Sequence, residues 1–205
     1  MTRLMADSTN PFDIPAGQFP IVAGYTDGLY AWSGAGWKYH EASVHFRLCC
    51  TSIDLTAHCA DIEPGCLSAA QGAEFVFQKV SRGEVAYLYY SESRTNEIHA
   101  ALGARGLDPG HAYGGWVARW DNRAVLDVAG YIKQYANPTL TGAHYDLSVA
   151  ADYLPGVDSL PPPPPVSGPG AGVQNWSGLQ VKVDVDIPAF GAELGVLASG
   201  LVGLG

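Results

Sequence analysis

Positive charge is scarce in this sequence. Lys and Arg together number 11 against 20 Asp and Glu, for a formal charge of −9. Surfaces that bind duplex nucleic acid cluster basic residues to displace counterions. Here the basic residues are scattered, which argues against a nucleic-acid partner. Charged residues of either sign make up only 15 % of the chain, while 47 % is hydrophobic. That balance excludes a disordered polyelectrolyte and favours a packed core. Long apolar runs are also missing, and no stretch approaches the ~20 residues needed to span a bilayer. The N-terminal stretch meets Asp7 before any apolar segment can form, so no secretory signal peptide is expected. Paired cysteine motifs are lacking too. Cys49, Cys50, Cys59 and Cys66 fall within 18 residues, but none forms a C-x-x-C pair. Without a signal peptide the expectation is buried free thiols, with no metal site. Gly34-Ala-Gly36 and Gly103-Ala-Arg-Gly106 match no phosphate-loop or dinucleotide pattern, so no cofactor is expected.

What is present is an alternation of short apolar runs and helical stretches. Residues 1–19, with Pro11, Pro15 and Gly17, read as an irregular N-terminal arm. Strands are predicted over Phe19–Tyr25, Val44–Cys49 and Ala57–Glu63, the last stopped by Pro64-Gly65. Leu67–Val80 has helical composition, with Ala70, Ala73, Phe77 and Val80 as its apolar or small positions. Further strands are expected over Val85–Tyr90, Tyr113–Arg119 and Gly130–Tyr135, with a helix over Arg94–Arg105. Strands separated by helices of this length predict parallel β/α units rather than a sandwich.

Acidic residues gather at the predicted strand ends, where parallel β/α proteins place functional groups. Asp27 closes the first strand. Asp61 and Glu63 close the third, two residues apart, so both side chains share a face, with Cα atoms roughly 6–7 Å apart. Asp146 lies in Gly142-Ala-His-Tyr-Asp-Leu-Ser148. Paired carboxyls suit glycoside hydrolysis, because one must hold a proton for the leaving oxygen while another stays ionised.

The ordered series Asp61-Ile-Glu63, Tyr90-Ser91, Trp116-Val-Ala118, Gln134-Tyr135 and Tyr145-Asp146-Leu147 resembles the family-25 glycoside hydrolases. These are lysozyme-like muramidases of bacteria and their phages; the series also resembles a broader set of glycoside-hydrolase-like domains. The resemblance covers about residues 20–155. It implies Glu63 as general acid, Asp61 as its partner, and Asp27 and Asp146 as two further pocket acids. Tyr90, Trp116 and Tyr145 would be substrate-binding residues. The 33 residues between Asp27 and Asp61 hold a single predicted strand and little helix. The expected fold is therefore a shortened or distorted β/α (TIM-like) barrel over residues 20–158.

After Pro155 the composition changes. Pro161–Pro165 and the following glycines predict a linker over 159–172. Residues 173–205 then hold an alternating strand, Leu179–Ile187, and an apolar tail. One strand alone is not stable in water, so this segment is expected to pair with the barrel domain itself, with another copy of the chain, or with a partner such as a virion protein. Two functions follow. One is a phage virion-associated structural protein, a head decoration or tail component with a cell-wall glycan as a further ligand, located in the virion or in host cytoplasm before release. The other is an active peptidoglycan muramidase that uses Glu63.

Overall fold

Eight strands close into a single barrel in sequence order. They are β1 (Thr2–Asp7), β2 (Ile21–Tyr25), β3 (Val44–Cys49), β4 (Cys59–Asp61), β5 (Tyr87–Ser91), β6 (Gly114–Ala118), β7 (Ile132–Ala136) and β8 (Asp146–Ala151). The structure, a computed structural model, describes residues 2–159. The expected linker and the docking strand and tail over 173–205 lie outside the described residues, apart from Ser159.

The expected TIM-like β/α barrel is overturned. Neighbouring strands from β1 to β7 pair in parallel, but β8 runs antiparallel to both β7 and β1, so the closed barrel has mixed topology. Among the described residues there are four α-helices: α1 (Gly34–Tyr39), α2 (Ala69–Val80), α3 (Thr95–Ala104) and α4 (Pro138–Thr141). Strand and helix therefore do not alternate around the barrel, and long connections such as 119–131 hold no helix. The reversal before β8 has a local cause. Asn137 caps the four-residue α4, Pro138 fits its first turn, and Gly142 ends it at φ 71°. This left-handed conformation suits glycine. The chain turns back within one short helix, and β8 starts at the rim where β7 stops.

The supposed arm is also corrected. Residues 2–7 form β1, which completes the barrel by pairing with β2 and β8. Its alternation is weak because only Met5 and Ala6 are fully buried, so sequence periodicity does not reveal it.

Period-two alternation divides side chains between the lumen and the outer face. Met5, Ile21, Ala23, Phe46, Cys59, Tyr87, Trp116 and Ile132 belong to the cluster filling the lumen. Phe46 meets Tyr87 and Trp116 edge-on, with ring centroids 5.1 and 5.7 Å apart, a favourable arrangement for aromatic quadrupoles. The buried polar ends are satisfied: Trp116 Nε1 donates to Ser148 Oγ at 3.1 Å, and Tyr87 Oη donates to the Pro155 carbonyl at 2.9 Å. Gly114 is required beside this packing, since a Cβ there would lie 2.4 Å from the Tyr87 ring.

Residues one step out of phase, including Ala60, Leu88, Tyr90 and Val117, form a second cluster with α2 and α3. A Ser68/Gln71 capping box starts α2. Its buried face carries Ala69, Ala73, Phe75 and Val76, whereas Phe77, expected on the core stripe, is exposed beside the Arg105 guanidinium. In α3, Ile98 and Leu102 are buried as their spacing predicts.

Candidate functional site

The lumen-facing alternation carries polar residues to one rim. From Met5 it steps to Asp7, from Ala23 to Tyr25, from Cys59 to Asp61, from Tyr87 to Tyr89, and from Ile132 to Gln134. These side chains cap the carboxyl ends of parallel strands. Because β8 is reversed, its first residue, Asp146, joins the same rim, and it stands directly opposite Asp7 in the β1–β8 register. Like charges facing each other across strands are destabilising, so this pair is a cost that folding alone gives no reason to keep. A cavity of about 280 Å³ opens here, lined by Asp7, Tyr25, Tyr30, Asp61, Glu63, Tyr89 and Asp146 among others.

Every carboxyl in the cluster is harder to ionise than usual. Burial raises Asp61 to about 7; the Tyr25 hydroxyl, donating at 2.8 Å, opposes this, and the Glu63 charge adds to it. Burial and the Glu63 charge lift Asp146 to about 6. Burial, then the Asp146 charge, hold Asp7 well above the carboxylate range despite the Gln134 amide. Burial also raises Glu63, with the Tyr89 hydroxyl and the Arg94 guanidinium pulling the other way. Arg94 is held nearby, donating to the Ile62 carbonyl and pairing with Glu97 at 2.8 Å. Asp61 Oδ1 and Asp146 Oδ1 are buried without a hydrogen-bond partner. A buried carboxyl oxygen left unpaired is expensive unless a proton, water or ligand meets it.

Three of the four expected acids thus come together: Asp61, Glu63 and Asp146. The fourth, Asp27, does not. Its carboxylate accepts hydrogen bonds from the backbone amides of Cys50, Thr51 and Ser52 at 2.7–3.0 Å and from both neighbouring hydroxyls. Burial alone would raise Asp27, but these bonds outweigh it and hold the carboxyl below its usual range. Asp27 ties the β2 exit to the β3 exit, and the acid at the rim is Asp7. The signal that could have found Asp7 was the same one used for Asp61, an acid closing an apolar strand; it failed because β1 was not recognised.

The expected sugar-binding aromatics are placed differently as well. Tyr90 faces outward under α3, with its hydroxyl 2.8 Å from that of Tyr113. Trp116 is fully buried in the lumen against Tyr89. Tyr145 packs edge-on against Phe19 on the outer side of the barrel. The aromatics that line the cavity are Tyr25, Tyr30 and Tyr89.

The cysteine expectation is half corrected. Cys49 and Cys59 are buried free thiols, but Cys50 and Cys66 form a disulfide. Those two sulfurs and an Asp61 oxygen lie within 4.8 Å of one another. Joined to each other, the sulfurs lack the thiolate charge that would hold a cation. The bridge spans 16 positions and encloses both Asp61 and Glu63. Replacing both bridge cysteines with alanine is expected to cost about 3 kcal/mol, the loop-entropy value for a link of this length. Urea unfolding of the double variant against the oxidised protein measures it; equal midpoints would show that the bridge does not hold this rim.

No protein-family model, no curated protein and no solved structure matches the chain. None of these comparisons links it to lysozymes, peptidoglycan or phage particles, so those expectations find no support in similarity.

Proposed function

We propose that the chain is a glycoside hydrolase whose reacting groups are Asp7, Asp61, Glu63 and Asp146. The observation that carries this reading is the meeting of four carboxyls at one open cavity, each harder to ionise than an ordinary carboxyl. Glycosidic cleavage needs one protonated carboxyl to donate to the leaving oxygen and one ionised carboxylate to stabilise the oxocarbenium-like centre or to position water. Crowded acids meet both needs, because each ionised neighbour makes the next proton harder to remove.

Glu63 is the general acid in this reading. It lies beyond the end of β4, is half-buried rather than sealed, and faces the cavity beside Pro64. Asp61 is held by Tyr25 and nearly enclosed, which suits an electrostatic partner whose position must not drift. Asp7 and Asp146, paired across β1 and β8, form the opposite wall. No reaction step assigned here requires a cofactor.

The test is release of reducing ends from a panel of purified glycans, chitin and cell-wall glycan strands included. The rate is expected to follow a bell-shaped pH profile, since the cluster must be partly protonated. Its acid limb should rise toward about pH 7, where Asp61 gives up its proton and becomes the ionised partner, and its alkaline limb marks loss of the donor's proton. The cluster titrates as a coupled unit, so each limb reports the set rather than one residue. Absence of reducing ends on every glycan between pH 4 and 8 would remove the proposal.

A further inference from the structure

We propose that Trp120 is a fixed stacking platform for one ring of an oligosaccharide, forming a binding subsite beside the acid cavity. This deepens the glycosidase reading and rests on it for the class of ligand.

Trp120 continues the lumen-facing series Trp116, Ala118 past the end of β6, so it arrives at the rim that carries the acids. Its indole Nε1 donates to Gln134 Oε1 at 2.7 Å, and the same oxygen accepts the Tyr89 hydroxyl at 2.8 Å. With two donors on the oxygen, the Gln134 amide nitrogen must face the other way. It lies 3.1 and 3.2 Å from the two Asp7 oxygens. Gln134 is fully buried, so one immobile amide joins the exposed indole to two residues that line the cavity.

The chain is pinned on both sides of Trp120. Arg119 pairs with Glu92 at 2.5 Å, and Asp121 pairs at 2.8 Å with Lys133, whose side chain is fully buried. The Arg119 and Asn122 amides donate to the carbonyls of Gln134 and Tyr135. Despite this anchoring, Trp120 is 52 % exposed. Burying the indole would remove a large apolar face from water, yet here only its polar edge is turned inward. A rigid aromatic face in solvent loses little entropy when a ligand lands on it. A pyranose ring offers the complement: one face of C–H groups, with hydroxyls at its edge that can reach the nearby carboxyls.

The full chain carrying Glu63→Gln, which should hold ligand without cutting it, is titrated calorimetrically with soluble chitin oligomers and soluble cell-wall glycan fragments. Adding Trp120→Ala is expected to weaken binding about tenfold or more, the loss that marks an aromatic anchor. Trp120→Phe keeps a stacking face and should stay within about threefold, because the inward hydrogen bond is not itself the contact. If the alanine variant misfolds, the indole N–H resonance of Trp120, assigned by its loss in Trp120→Phe, should shift with ligand. Unchanged affinity in a folded Trp120→Ala, or an indole signal indifferent to ligand, overturns the platform. Hydrolysis by the wild type with an unaltered KM in Trp120→Ala would overturn it and leave the glycosidase reading standing. Trp120-dependent binding without any hydrolysis would uphold the platform and remove the catalytic reading. No saturable binding of either ligand overturns the platform.

Discussion

Glu63→Gln is expected to lower kcat/KM on the best glycan substrate by about 10²–10⁴-fold, the usual contribution of a positioned general acid. The carboxamide has nearly the same shape as the acid but has no carboxylic proton to deliver, so the loss isolates proton transfer from packing. Glu63 is half-buried and its carboxyl is raised above the ordinary range by burial. Neutralising it therefore removes a charge that folding disfavours, and the melting temperature should be unchanged or slightly higher. A drop in both activity and stability would point to a structural role instead. Full activity in Glu63→Gln, with loss in Asp146→Asn, would transfer the acid role to Asp146, whose carboxyl burial lifts to about 6.

Asp61→Asn is expected to stabilise the fold at alkaline pH while abolishing activity. Asp61 is buried beside Tyr25 and its proton is held up to about 7, against an ordinary value of 3.8. With the folded value above the unfolded one, the contribution to stability is complete below about pH 4. It is lost as pH rises through about 7, because the folded state must then carry a buried charge. A displacement of this size corresponds to a few kcal/mol, on the order of 4 at most for an isolated group. The melting temperatures of wild type and Asp61→Asn should therefore nearly coincide at pH 4 and separate progressively up to pH 8, with the variant higher. A separation that does not change with pH would mean that the carboxyl titrates normally in the fold. The same variant should ease ionisation of Asp7, which Asp61 holds back through its charge, and so move the acid limb of any residual activity to lower pH. Stability gained where activity is lost is the expected signature of a site that folding tolerates rather than favours.

Much of the barrel is legible in the sequence because local patterns decide it. Val44–Cys49 forms β3 over the span its apolar run suggests, Gly114–Ala118 falls inside its expected run, and Tyr87–Ser91 and Ile132–Ala136 each overrun theirs by one residue. The pairing of Asp61 with Glu63 on one face follows from period-two geometry and needs no fold. Helix α2 begins close to where composition places it, yet its core face turned out to include Phe75 and not Phe77. Phe75 and Phe77 lie two residues apart on different faces of the helix, and composition alone does not say which of them turns inward.

Neither strand β8 nor its direction was legible. A short apolar segment has the same composition whichever way it runs, and the reversal depends on Asn137, Pro138 and Gly142 acting together as one turn. Strand β1 was hidden because a strand with two fully buried side chains looks like an irregular arm until its neighbours are known. The separation of Asp27 from the other acids was hidden for the same reason. Without β1, the nearest strand-end acid in the sequence was one that three backbone amides had already claimed.

By itself, the amino-acid order determined a packed, acidic β-rich domain with an Asp-x-Glu pair at a strand end, since spacing and side-chain chemistry are local properties. Tertiary structure alone decided that Asp7 and Asp146 face each other across a closing seam, that Gln134 joins Asp7 to Trp120, and that Cys50 meets Cys66. Each of these links residues far apart in the chain, and only the curvature and closure of the sheet bring such residues within bonding distance.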